Sequence, residues 1–169
     1  LKELAAGVEK AFLYDTKLLI EEGIESPREF AIGVMGRKDK IETGVIGEFQ
    51  SFKKEFFDYE AKYGTGSLDG IVPAQIDIEL EKKLKEMALL TFKYLELTGF
   101  ARVDCFYDGK EIYMNEVNTI PGLETHGTFT KTWAAAGLSR TEFIDRVIEI
   151  AIEEYEEKQK LQTDILLTE

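Results

Sequence analysis

Apolar positions recur along this chain with two different periods, and the switches between them outline its elements. Leu4, Val8, Ala11 and Phe12 fall at helical spacing over residues 2–13, despite Gly7. The run 17–22, KLLIEE, reads as a short buried strand and is followed by the loop Gly23–Arg28, which contains Pro27. Two strand-like runs come next, 29–36 (EFAIGVMG) and 42–49 (ETGVIGEF), joined by the charged turn Arg37-Lys38-Asp39-Lys40. Residues 50–74 carry Gly64, Gly66, Gly70 and Pro73 and no periodicity, the pattern of a functional lid or a disordered loop. A long helix fits 78–98, with Leu80, Leu84, Met87, Ala88, Thr91 and Leu95 on one face, Asp77 as N-cap and Gly99 as its stop.

Strands are predicted at 100–107 and 110–118 around Asp108-Gly109, a strong hairpin signal. An irregular stretch, 119–130, contains Pro121, Gly122 and Gly127, and a short helix near Thr130–Ala136 ends at Gly137. The last helix starts at the capping box Ser139-x-x-Glu142 and runs to about 158, with Ile144, Val147, Ile148, Ala151, Ile152 and Tyr155 as its apolar stripe. Residues 159–169 read as a frayed tail. Strands and helices in runs, rather than in strict alternation, predict an α+β fold with a largely antiparallel sheet flanked by helices.

Composition narrows the function. Hydrophobic residues make up 44% of the 169 and charged residues 32%, enough apolar mass for a core. Lys and Arg number 21 against 33 Asp and Glu, a net charge of −12, which is the wrong sign for a nucleic-acid binder. No apolar run approaches the ~18 residues of a membrane helix. Cys105 is the single cysteine, which excludes an internal disulfide and a cysteine-based zinc site. Leu1 is not an initiator methionine, so the chain reads as a fragment or a processed product.

The chemistry concentrates in Phe100–Asn118, FARVDCFYDGKEIYMNEVN, where Asp104, Glu116 and Asn118 interrupt strands. Glu116 and Asn118 are two apart and share a face. A two-residue turn at Asp108-Gly109 pairs Asp104 with Tyr113 and sends it to the other face. A three-residue turn, Tyr107-Asp108-Gly109, with Gly109 left-handed and a bulge, pairs Asp104 with Ile112 instead. That form is expected, because it gathers Arg102, Asp104, Glu116 and Asn118 on one face. Three oxygen ligands suit Mg²⁺, which shares its shell with water and substrate phosphates. Arg102 beside them would offset the charge of a transferring phosphoryl group. The same pattern also fits a solvated sheet face carrying an ordinary ion pair.

GFARVDCFYDGKEIYMNEVNTIPG resembles the C-terminal half of the ATP-grasp active site of D-alanine–D-alanine ligases. Phe56–Tyr63, FFDYEAKY, resembles that family's mobile active-site loop, and Leu19–Glu29, LIEEGIESPRE, its adenine-side strand and loop. The resemblance is collinear from about residue 3 to 158 and covers only the C-terminal part of such a ligase. It implies the end of a central domain at 1–24, a C-terminal catalytic domain at 25–158 and a tail at 159–169. By resemblance, Asp104, Glu116 and Asn118 would bind two Mg²⁺ (or Mn²⁺) ions bridging the phosphates of ATP, and Arg102 would contact the transferring phosphate. The Gly122 N–H would belong to the oxyanion site. Lys62 would reach the phosphates as the loop closes, and Tyr63 would close the pocket over the second substrate. Glu21, Glu22 and Ile24 would hold the adenine, Glu29 the ribose hydroxyls, and Phe56 would line the adenine pocket.

The implied activity is the joining of two D-alanine molecules through an acyl phosphate, for peptidoglycan synthesis in the cytoplasm. The implied partners are the absent N-terminal and central domains, and a second copy in a homodimer of the complete enzyme. FFDYEAKY favours D-alanine over D-lactate as second substrate. Two positions depart from the family pattern. Gly127 stands where many members carry a serine for the second substrate's carboxylate, leaving Thr125, Thr128 or a backbone N–H to replace it. Glu22 stands where some carry lysine. His126, the sole histidine, reads as a polar loop residue rather than a general base. Cys105, opposite in phase to Asp104, reads as a small core residue, and Phe129 with Trp133 as anchors of the short helix. Phe106 shares the Asp104 face, where bordering the adenine and plain packing fit equally.

Overall fold

The computed structural model describes residues 2–49, 70–125 and 127–162. Helix α1 (Lys2–Ala11) precedes strands β1 (Arg28–Arg37) and β2 (Lys40–Phe49). Helix α2 (Ile78–Tyr94), strands β3 (Gly99–Tyr107) and β4 (Ile112–Asn118), and helices α3 (Thr128–Ala135) and α4 (Arg140–Gln159) complete the order. The strands form one antiparallel sheet, β2-β1-β3-β4, so the fold is α+β as the sequence predicts.

Strand pleating divides the sheet into two faces of different chemistry. Phe30, Ile32, Val34, Ile46, Ala101, Val103 and Cys105 point to one face, where Leu80, Leu84, Ala88 and Phe92 of α2 cover them. Every one of these is buried, and the cluster is aliphatic apart from Phe30, Phe92 and the Cys105 thiol. The other face carries Met35 and Phe100 at one end, under Phe129, Trp133, Leu138 and Phe143 from α3 and α4. Those rings meet edge to face: Phe129–Phe143 centroids lie 5.6 Å apart at 84°, and Phe100–Phe143 5.5 Å apart at 78°. Helix α3 reaches the sheet because a side chain is missing under it. A Cβ on Gly33 would lie 2.7 Å from Trp133 Nε1 and 3.2 Å from the Phe129 ring. Trp133 Nε1 is itself buried with no hydrogen-bond partner among the described residues.

The capping predictions hold. Asp77 accepts from the Leu80 N–H at 2.8 Å, and Ser139 and Glu142 exchange both capping-box bonds. Helix α2 nevertheless stops at Tyr94 rather than at 98. Glu96 takes a left-handed φ of 52°, and Gly99, at φ 94°, opens β3 instead of ending the helix. Phe92 takes the buried place on this helix, while Leu95 is exposed.

Two predicted apolar surfaces fail. Residues 17–22 form no strand, and Leu19 and Ile20 are exposed. A strand needs a partner for its backbone, and no neighbouring strand pairs with this run among the described residues. On α4, the predicted stripe points outward at Ile144, Ile148, Ile152 and Tyr155. Of the predicted stripe Val147 does pack inward, and its companions there are Phe143 and Ile150. This helix carries two apolar seams, and the aromatic cluster selects the one that offers Phe143. Arg37, at the end of β1, fixes the same rotation by reaching Glu153, Glu154 and Glu157.

Candidate functional site

The free end of the aromatic face holds the charges. Strand β3 contributes Arg102, Asp104 and Phe106, β4 contributes Tyr113, Glu116 and Asn118, and Glu29 and Phe49 come from β1 and β2 in matching phase. Arg102 pairs directly with Asn118 and Asp104 with Glu116. The four residues expected on one face are therefore together.

The route to that register differs from the expected one. Tyr107 pairs with Ile112, so the connection is the four-residue loop Asp108–Glu111, not a three-residue turn. Asp108 accounts for it: its Oδ1 accepts the Lys110 and Glu111 N–H groups, each at 2.8 Å, and Gly109 supplies the expected left-handed φ, at 97°. Such a loop alone would set Asp104 against Asn115 and turn Glu116 away. A bulge at Asn115, between the Asp104–Glu116 and Cys105–Met114 pairs, restores the face.

Arg102 grips Asp104 as a fork, with Nε to Oδ1 at 2.8 Å and Nη2 to Oδ2 at 2.6 Å. Asp104 is 1% exposed, while Arg102 keeps part of its side chain at the surface, and its Cζ stands 5.5 Å from the Phe49 ring centroid. Burial works against the Arg102 cation. The bonds to Asp104 and the charges of Asp104, Glu116 and Glu29 outweigh that cost and raise its pKa above the ordinary value. Glu116 is exposed, and Asn118 Oδ1 accepts the Ile120 N–H at 3.1 Å.

Among the described residues no three His, Cys, Asp or Glu side chains gather around one point. The donor set is two carboxylates and an amide across one strand pair, which fits a hard cation that completes its shell with phosphate and water. The fit carries a condition, because both Asp104 oxygens are engaged by Arg102.

The other predicted site residues are placed less closely. Gly122 is exposed after buried Pro121, and a Cβ there would overlap the Glu124 carboxylate. Glu21 and Glu22 are exposed and Ile24 half-buried in the irregular segment before β1. The Tyr113 hydroxyl donates to Asp108 at 3.0 Å, and that bond, partial burial and the negative charges of Asp108, Glu111 and Glu22 raise its pKa. Gly127 is the N-cap of α3 and makes no side-chain cap bond. Lys62, Tyr63, Phe56 and His126 lie outside the described residues. Cys105 is buried on the α2 face, where burial and then the Asp104 charge push its thiol up to about 12, so the core reading holds. Phe49 was not singled out by the sequence reading. Its place at the end of β2, in phase with Gly47 and opposite Glu29, is the signal that marks it.

Concave surface is found elsewhere as well. A groove of about 490 Å³ runs between α2 and the hairpin loop past Asp77, Lys83, Tyr107 and Lys110. It does not include Arg102, Asp104, Glu116 or Asn118, which share the opposite face of the sheet. Among the described residues no helix is long and apolar enough to cross a membrane.

Comparison with known proteins gives a consistent result. The family described as D-ala D-ala ligase C-terminus matches residues 1–149. The D-alanine–D-alanine ligase of Geobacillus kaustophilus is 44% identical over 161 residues, covering 94% of this chain and 43% of that protein. That of Clostridium acetobutylicum is 41% identical over 152 residues, with 89% and 43% covered. The VanG D-Ala:D-Ser ligase of Enterococcus faecalis superposes with a TM-score of 0.77 at 38% identity, over 89% of this chain and 43% of that one. A Bacillus anthracis D-alanine–D-alanine ligase complexed with ATP gives 0.76 at 28% identity, over 94% and 50%. The chain thus spans less than half the length of the curated relatives it matches.

Proposed function

The chain belongs to the D-alanine–D-alanine ligase family, matching its C-terminal portion, and from that premise we propose that it supplies the phosphate-handling half of an ATP-dependent ligation of two D-alanine molecules. The observation that carries this reading is the direct opposition of Arg102 with Asn118 and Asp104 with Glu116 across β3 and β4. Asp104, Glu116 and Asn118 would hold two Mg²⁺ or Mn²⁺ ions, which would supply charge neutralisation at the phosphates. Arg102 binds and orients the phosphoryl group passing from ATP to the first D-alanine carboxylate. The second D-alanine's amine then attacks the acyl carbon, phosphate leaves, and the Gly122 N–H steadies the oxyanion. Lys62 and Tyr63 would shield the acyl phosphate from water, with Phe56, Glu21, Glu22, Ile24 and Glu29 on the nucleoside side.

Residues 1–24 are assigned to the end of a central domain and 25–158 to the catalytic domain. Their exposed Leu4, Leu13, Leu19 and Ile20 support that division, since an apolar run of this kind suits a contact with another body. The second lobe, a homodimer and a cytoplasmic location belong to the same proposal for the complete enzyme. A second reading, an acceptor other than D-alanine, is favoured by the 38% identity to a D-Ala:D-Ser ligase and by Gly127. The first-turn N–H groups of α3, which take no bond from a capping side chain at Gly127, would then receive the acceptor carboxylate without a serine.

The test is ADP release by the full-length gene product with MgATP and D-alanine, L-alanine, D-serine or D-lactate. Release with D-alanine alone supports the first reading, release dependent on D-serine or D-lactate the second, and no release with any of them overturns both.

A further inference from the structure

The contact that organises this face also opposes its use. A cation at Asp104 needs carboxylate oxygens, and both accept from the Arg102 guanidinium, at 2.8 Å and 2.6 Å, two residues along the same strand. Geometry permits sharing only at the expense of these bonds, since Oδ2 accepts from Nε, at 3.0 Å, as well as from Nη2. Charge does not, because a divalent ion on Asp104 would stand against a guanidinium at close range in a site where Asp104 is 1% exposed and the dielectric is low. Arg102 has somewhere to go. Its Cζ is already 5.5 Å from the Phe49 ring centroid, and Glu29 and Glu116 act on it from β1 and β4.

Resting on the metal reading above, we propose that Arg102 is the resident counter-ion of Asp104 and exchanges with the divalent cation, so that cation binding releases the guanidinium to receive phosphate. Asp104 then always has a positive partner, which explains how a carboxylate this deeply buried is held. The freed guanidinium stays over Phe49 with its N–H groups open to an anion. The coupling is reciprocal: phosphate that holds Arg102 away from Asp104 raises cation affinity.

The test uses the full 169-residue chain and Mn²⁺ alone, with free Mn²⁺ followed by electron paramagnetic resonance. Removing the competitor by Arg102→Gln should tighten Mn²⁺ binding by about tenfold, with Arg102→Lys between it and the parent. Asp104→Asn and Glu116→Gln should each weaken it. In the unmodified chain, the Arg102 Nε–H resonance should shift and exchange faster with water as Mg²⁺ saturates; this measurement decides the matter should Arg102→Gln fail to fold. Equal or weaker Mn²⁺ binding by Arg102→Gln, or an unchanged Nε–H resonance at saturating Mg²⁺, overturns the exchange alone. Binding that ignores Asp104→Asn and Glu116→Gln, or no binding to any variant, overturns the metal reading beneath it.

Discussion

Val103 and Asp104 are consecutive on one strand and equally buried, yet they belong to opposite kinds of interior. Val103 joins the face under α2, whose buried cluster is apolar and whose ion pair, Arg28–Glu48 at 2.7 Å, stands at its edge with both side chains partly exposed. Asp104 joins a face where, among the described residues, the aromatic rings under α3 and α4 gather toward one end and the other holds a guanidinium and carboxylates. The comparison teaches that one strand pair has divided stability and chemistry by parity. The α2 face supplies the hydrophobic stabilisation that offsets the cost of a desolvated ion pair on the other.

The division breaks most severely from the α2 side. Phe92→Ala, at a fully buried ring, should cost about 3–5 kcal/mol in urea unfolding. Arg102→Leu should follow at roughly 2–3 kcal/mol, less than the value for a fully buried pair because Arg102 keeps 19% of its side chain exposed. The double variant Arg102→Met/Asp104→Leu should recover most of that loss, turning this face into ordinary core. If the double variant were no better than Arg102→Leu, the ion pair would be a stabiliser in its own right and the contrast between the faces would fail.

A smaller effect separates the aromatic end from both. Lys158 and Arg37 hold the Glu154 carboxylate below its usual pKa, and Lys38 and Arg37 do the same for Glu157. The contribution of a carboxylate depressed in the folded state is present above the ordinary carboxylate range and is lost as pH falls through it. The melting temperature lost on Arg37→Gln should therefore be visible at pH 7, shrink at high salt and diminish as pH falls below the ordinary carboxylate range. The smallest effect is at Cys105. Its folded pKa is raised to about 12, so the thiol contribution is intact below the ordinary thiol pKa and is lost as pH rises toward 12. At pH 8 an alkylating reagent should modify Cys105 only after unfolding, at the same rate with and without Arg102→Leu once stability is matched.

Most of this fold is local and hence legible. Asp77, the Ser139–Glu142 box, the Lys38 turn and the alternation in β1 and β3 each act within a few residues. What could not be read depends on contacts between elements. Residues 17–22 have strand composition and no strand beside them among the described residues, and α4 carries two seams of which packing selects one. The site was legible as a set but not as a mechanism of assembly. Asp108 imposes a longer loop than expected, and the bulge at Asn115 compensates for it. The Arg102–Asp104 fork and the nearby Phe49 ring are distances rather than patterns, and only coordinates reveal them.

The most direct test sets two consecutive residues of β4 against each other in the full-length gene product. Glu116 is exposed on the site face, and Val117 packs against the α2 core. Glu116→Gln should lower D-alanine-dependent ADP release by about 10²–10³-fold while leaving the melting temperature nearly unchanged. Val117→Ala should lower the melting temperature by several degrees and leave turnover near normal at 25 °C. Near-normal turnover in Glu116→Gln would contradict the assignment of chemistry to this face.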